Sequence, residues 1–154
     1  MSEMNRRELG LALSAFAIIG SLSADAQSGS LPEDEKLLHS EVFPYEKLPV
    51  NTAANGMTSR AVVRGTLATG EYIEVHETML PAGEMPHPPH RHTHSELLLI
   101  REGDLQVDSD GQRGVVRAGD VVFTASAVLH NLKNVGTGPA SYFVVAVGLQ
   151  LAIT

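Results

Sequence analysis

From Arg60 onward the apolar positions recur in short runs and not at helical intervals. Residues 61–67 form one such run and lead into the turn Ala68-Thr69-Gly70. Residues 72–80 alternate, with Tyr72, Glu74, His76 and Thr78 falling on one face, the period-two signature of a strand. Residues 97–100 are continuously apolar, which predicts a strand covered on both faces. Further runs at 105–107, 115–116, 121–123, 131–135 and 142–147 follow, separated by turn clusters such as Glu102-Gly103-Asp104 and Asp108-Ser109-Asp110-Gly111. Regularly spaced short strands with Gly- and Asp-rich turns predict an all-β sandwich or barrel. No internal repeat is evident, so the pattern predicts a single barrel.

The first 59 residues read differently. Arg6-Arg7 precedes an apolar stretch at 9–22, and Ala24-Asp25-Ala26 is a small-residue cleavage site. This is the layout of an export signal over residues 1–26, with an apolar stretch shorter than the ~20 residues a bilayer-spanning helix needs. Asn5-Arg6-Arg7-Glu8-Leu9 looks like a twin-arginine signal, whose pathway carries folded proteins; a general secretory signal holding two arginines is the alternative. Either reading predicts an exported protein, periplasmic or secreted, with no stable membrane span once the signal is removed. Residues 27–59 form a leader and an N-terminal arm. Within it Ser30-Leu31-Pro32-Glu33 predicts a helix start, running to His39. Pro44 and Pro49 make 43–50 an edge strand or arm. The barrel is assigned to 60–148 and a tail to 149–154.

A length of 154 residues supports one domain with a real core. The net charge of −7 comes with no basic stripe, which argues against nucleic acid as a partner. With no cysteine the chain has no disulfides, zinc ribbons, iron–sulfur clusters or thiol nucleophiles. Ser95 and Ser126 lie near histidines, but there is no G-x-S-x-G elbow and no glycine-rich phosphate loop.

Candidate chemistry concentrates in the stretch 83–103. Four of the seven histidines, at 87, 90, 92 and 94, fall there among Pro86, Pro88 and Pro89. On an extended backbone His90 and His92 share a face with Glu96, and His130 offers a further imidazole from downstream. Imidazole plus carboxylate without thiolate suits a borderline divalent ion.

At these residues the chain resembles the cupin family. His90, His92, Glu96 and Gly103 fit the first motif, G-x5-H-x-H-x3-E-x6-G, with Gly83 one residue too far upstream. Gly119, His130 and Asn134 fit the second, G-x5-P-x-G-x2-H-x3-N, with Ala125 and Ala127 where the family has Pro and Gly. The resemblance covers roughly residues 60–147. It implies a single cupin barrel (a double-stranded β-helix, or jelly roll) holding one divalent metal through His90, His92, Glu96 and His130. Iron, manganese, nickel, cobalt, copper and zinc all suit that set, and four ligands leave an octahedral ion two open positions. His87 and His94 are expected at the mouth or behind the ligands, with Asn134 satisfying backbone groups beside His130. His76 is an acid/base candidate on the polar face of its strand. The implied function is a metal-dependent oxidoreductase of dioxygenase type acting on a small organic molecule. A metal-assisted isomerase or lyase, and a non-catalytic small-ligand binding module, are the alternatives. The family habit and the apolar arm imply a homodimer.

Overall fold

The computed structural model describes residues 35–149, so the expected export signal and the first half of the predicted helix, 30–34, lie outside the described residues. Among the described residues the fold has ten strands and one turn of 3-10 helix. They are β1 (Lys36–Leu37), β2 (Val50–Thr52), β3 (Thr58–Leu67), β4 (Tyr72–Leu80), β5 (Ser95–Glu102), β6 (Leu105–Ser109), β7 (Gln112–Val116), β8 (Val121–Thr124), β9 (His130–Asn134) and β10 (Ala140–Gly148), with the 3-10 turn at Tyr45–Lys47. The predicted strand sequence is therefore present. Lys36–Leu37, expected inside a helix reaching His39, instead pairs as a parallel edge strand with β3. The backbone of β3 offers this segment hydrogen bonds, Thr66 N–H donating to the Glu35 carbonyl at 2.9 Å.

One sheet runs β1-β3-β4-β10-β5-β8, with β2 also on β3, and a second runs β7-β6-β9. The β6–β7 hairpin closes on Asp110-Gly111, both at positive φ, between the paired Ser109 and Gln112. This is the two-residue turn whose twist matches the strands it joins. The core lies between the sheets, where Leu80, Leu98, Ile100, Leu105, Leu132 and Tyr142 are buried together.

Register decides what faces that interior. Across β5, β10 and β4, one row is Glu96, Ala146 and Glu74, and the next is Leu98, Val144 and His76. Even-numbered residues of β5 thus point inward while Leu97 and Leu99 point out and are exposed. Among the described residues the apolar run at 97–100 is covered on one face only, which corrects the two-sided expectation.

Two buried polar residues brace the frame. Asn134 is fully buried; its amide donates to the carbonyls of Leu80 and Gly138, each at 2.9 Å, and its oxygen accepts from Gly136 N–H at 3.0 Å. It lines no part of the cavity described below, so its side chain serves the backbone, not the mouth. Glu77, on the outward face of β4, is buried under the arm: Arg60 and Arg101 each donate to it at 3.0 Å, as does the Tyr45 hydroxyl. Gly103, at positive φ, is a glycine for a packing reason as well, since a Cβ there would meet the Cβ of Ala140 at 2.5 Å.

Candidate metal centre

Two loops build the site, one ahead of β5 and one between β8 and β9. They are fastened backbone to backbone. His90 and His130 exchange both N–H···O bonds at 3.1 Å, and Ala127 N–H donates to the carbonyl of His92 at 2.8 Å. Ser126 adds a hydroxyl bond to the Thr93 carbonyl at 2.6 Å, and its N–H donates to Ser95 Oγ at 3.2 Å. Both serines are therefore loop fasteners. Ala127 holds the left-handed conformation, φ 62°, that the family's glycine would adopt there at no steric cost. The turn geometry survives the substitution.

The fastening brings three imidazoles together. The His130 ring lies 4.5 Å from that of His90 and 4.7 Å from that of His92, centroid to centroid. One ring nitrogen of each sits within 4.8 Å of the other two. Glu96 closes the group, with Oε1 at 3.1 Å from His92 Nε2 and Oε2 at 3.8 Å from His130 Nε2. His92 Nδ1 donates to the His94 carbonyl at 2.9 Å and His130 Nδ1 to the Val128 carbonyl at 3.0 Å. Those bonds fix both tautomers with the Nε2 lone pair free toward the cluster.

His94 forms a second group with His92 and Glu96, one ligand atom of each within 4.8 Å of the others. Its ring stacks on His92 at 3.9 Å and its Nε2 donates to Glu96 Oε1 at 3.0 Å, so it orients both. His87 is exposed at the rim, its ring edge-on to that of His90 at 4.0 Å. His76 is two strands away on the cavity wall, with Nδ1 at 3.5 Å from Glu74 Oε1. Glu74 was legible as the alternation partner of His76, but nothing in the local pattern set it apart from a wet strand face.

Electrostatics prepare the group for a cation. Burial pushes the Glu96 carboxyl up, yet the His94 hydrogen bond and the electrostatic pull of the adjoining His92 and His94 rings outweigh it and hold it at about 2. Burial, followed by the nearby His87, His130 and His92, pushes His90 down to about 4. Near neutral pH the cluster therefore holds a carboxylate beside a neutral imidazole at His90. Two of its nitrogens, His90 Nδ1 and His92 Nε2, are buried without a hydrogen bond. The 3.1 Å approach of His92 Nε2 to Glu96 is close enough for one but badly angled. Buried polar atoms are ordinarily paired, and a divalent ion would satisfy both at once. The residues present fit a metal.

The cluster opens on a cavity of about 360 Å3. Leu98, Leu132 and Val144 make one wall apolar, while Glu74, His76 and Thr78 make the β4 wall polar.

An all-β barrel with histidines and an acid gathered at one end of its cavity is the architecture of the cupins. Residues 76–146, just under half of the chain, match the family described as Cupin domain. No curated protein sequence matches the chain. Among solved structures, an RmlC-like cupin from Shewanella frigidimarina is 21% identical, with 72% of this chain and 94% of that one covered and a TM-score of 0.59. A predicted oxalate decarboxylase from Thermotoga maritima is 18% identical, with 71% and 100% covered and a TM-score of 0.61. A sugar phosphate isomerase of the cupin superfamily from Silicibacter pomeroyi is 16% identical, with 70% and 76% covered and a TM-score of 0.58. Likeness at these identities is likeness of fold.

Proposed function

We propose that the protein is an exported metal-binding cupin enzyme, an oxidoreductase of dioxygenase type acting on a small organic molecule. One observation carries the reading: three imidazoles and a carboxylate, two of their buried nitrogens unpaired, meet at a cavity of small-molecule size. His90, His92, Glu96 and His130 are the residues that would hold the ion. Bound there, a divalent transition metal would supply Lewis acidity and, for a redox-active ion, electron exchange with dioxygen. The chain's own residues do the rest. The Nδ1 bonds of His92 and His130 aim the ligating nitrogens, His94 steadies Glu96, and the apolar wall of Leu98, Leu132 and Val144 excludes water from one side of the substrate.

A metal-assisted isomerase or lyase is the second reading, favoured by the His76–Glu74 pair, which places a group able to take and return a proton on the cavity wall. Metal analysis of the tag-free mature chain tests the centre, and turnover separates the reactions. Iron, copper, nickel or manganese with oxygen uptake supports the oxygenase; zinc with turnover under nitrogen supports the isomerase or lyase. Saturable binding without turnover across a substrate panel turns the reading to a binding module, and absence of stoichiometric metal overturns it.

The proposal includes export through the signal at 1–26 and a homodimer. The support for the second is the outer face of the large sheet, where Leu97, Leu99, Val121 and Phe123 form paired, exposed neighbours on β5 and β8. Contiguous exposed apolar surface of this kind marks an interaction face.

A further inference from the structure

The cavity has two polar poles. At one end stand the metal-ligand candidates; across the floor, Glu74 lies in the same cross-strand row as Glu96 with only Ala146 between them. Two strand spacings of about 4.8 Å separate the two carboxylate-bearing positions by roughly 10 Å. Ala146 between them is small and buried, and Leu98 and Val144 of the adjoining row line the cavity with apolar surface between Glu96 and the His76 side. His76, with Nδ1 at 3.5 Å from Glu74 Oε1, completes the far pole. The His76 ring beside it holds the Glu74 carboxyl below the usual carboxylate range despite burial, so near neutral pH this pole accepts hydrogen bonds. Among the described residues no Lys or Arg lines the cavity; Arg64, opposite Glu74 on β3, is exposed and lies outside the lining.

We propose that the site selects ring-sized molecules bearing an oxygen donor at one end and a hydroxyl or amine at the other, the second end donating to Glu74 and His76, and that it rejects molecules with a carboxylate or phosphate at that far end. The assignment rests on the metal reading for the near end only. A second anion would meet the Glu74 carboxylate inside the cavity, while Arg64, its cross-strand partner, lies outside the lining; a hydroxyl or amine gains a charge-assisted hydrogen bond. A cavity of about 360 Å3 with an apolar wall of Leu98, Leu132 and Val144 has room for a single ring such as an aromatic one.

Three ligands with the same near end isolate the far one: 4-hydroxybenzoate, 4-methylbenzoate and terephthalate, titrated calorimetrically into metal-loaded protein. We expect 4-hydroxybenzoate to bind about tenfold more tightly than 4-methylbenzoate, as a hydrogen bond to a charged group warrants, and terephthalate to bind most weakly. Glu74→Gln should shrink the first ratio to within about threefold and strengthen terephthalate about tenfold. Terephthalate binding as tightly as 4-hydroxybenzoate, an unchanged pattern in Glu74→Gln, or no binding of any of the three at millimolar concentration overturns the proposal. Metal content measured on the same samples keeps the two claims apart. A chain that takes up no metal fails the metal reading, and the far-end preference is then read from shifts of the His76 ring resonances with the same three ligands.

Discussion

His90 and His130, forty residues apart, exchange both of their backbone hydrogen bonds at 3.1 Å and so hold their rings 4.5 Å apart. The separation of the candidate ligands is set by main-chain pairing and not by the ion. Apolar residues fill the barrel core below them. His92→Ala should therefore cost more than about a hundredfold in metal affinity, beyond the 10–100-fold typical of residues one layer out, with little loss of strand signal. Metal content and circular dichroism on the same preparation check this. Loss of folded structure together with the metal would make the ion structural.

Acid should destabilise the metal-free protein in two steps. His90 is held at about 4 when folded, against about 6.5 for a free imidazole, so between those values the unfolded chain binds a proton that the folded chain refuses. Its contribution is full above pH 6.5 and is lost as pH falls toward 4. Glu96, held at about 2 against about 4.3, has the same sign, its contribution being lost from about pH 4.3 downward. Thermal midpoints measured from pH 7 to 3 should fall throughout, and His90→Ala should flatten the upper part of the slope. By the same logic His90 stays neutral, and fit to bind metal, well below pH 6.5.

Ala127 sits at φ 62° with a Cβ, a conformation that costs about 1–2 kcal/mol outside glycine. Part of that relief is offset by the greater freedom glycine gains when unfolded, about 0.5–1 kcal/mol. Ala127→Gly is expected to stabilise the fold by up to about 1 kcal/mol, read from urea unfolding at constant m-value. A destabilised Ala127→Gly would show that the turn carries no strain.

The arm is tied down at Glu77, which accepts from Tyr45, Arg60 and Arg101 while the two guanidiniums flank the Tyr45 ring at 4.6 and 4.7 Å. Removing one hydrogen bond to a buried carboxylate costs about 1.5–3 kcal/mol, so Tyr45→Phe should lower stability by about that much. It should also speed proteolysis of the arm. Glu77→Ala should cost more, because it leaves two cations partly buried without their partner.

If the outer face of β5 and β8 pairs two copies, charge there should separate them. Leu99→Lys with Phe123→Asp is expected to yield monomer by analytical ultracentrifugation, with metal content unchanged, since both side chains point away from the cavity. A wild-type chain that is already monomeric removes the dimer.

The strand at 72–80, the start of the strand at 105–107 and the shared spacing of His90, His92 and Glu96 could be read along the chain, because period-two alternation and short-range spacing are local properties; Asp108 and Ser109, read as part of the turn, instead continue β6 and pair with β7, leaving Asp110-Gly111 as the turn. Other features had no local signal. Lys36–Leu37 is a strand because β3 offers it an unpaired edge, and Glu77 is buried because an arm thirty-two residues upstream folds over it. Leu97 and Leu99 are exposed because the other sheet packs on the opposite face of β5, which an unbroken apolar run cannot reveal. The facing of Glu74 and Glu96 across Ala146 arises from the register of three strands, two of them separated in sequence by the whole smaller sheet. Sequence alone determined which residues are chemically able to hold a metal and that strands would carry them. Only tertiary structure decided which groups meet across the cavity, because register and burial are properties of strand pairing and packing, not of neighbours along the chain.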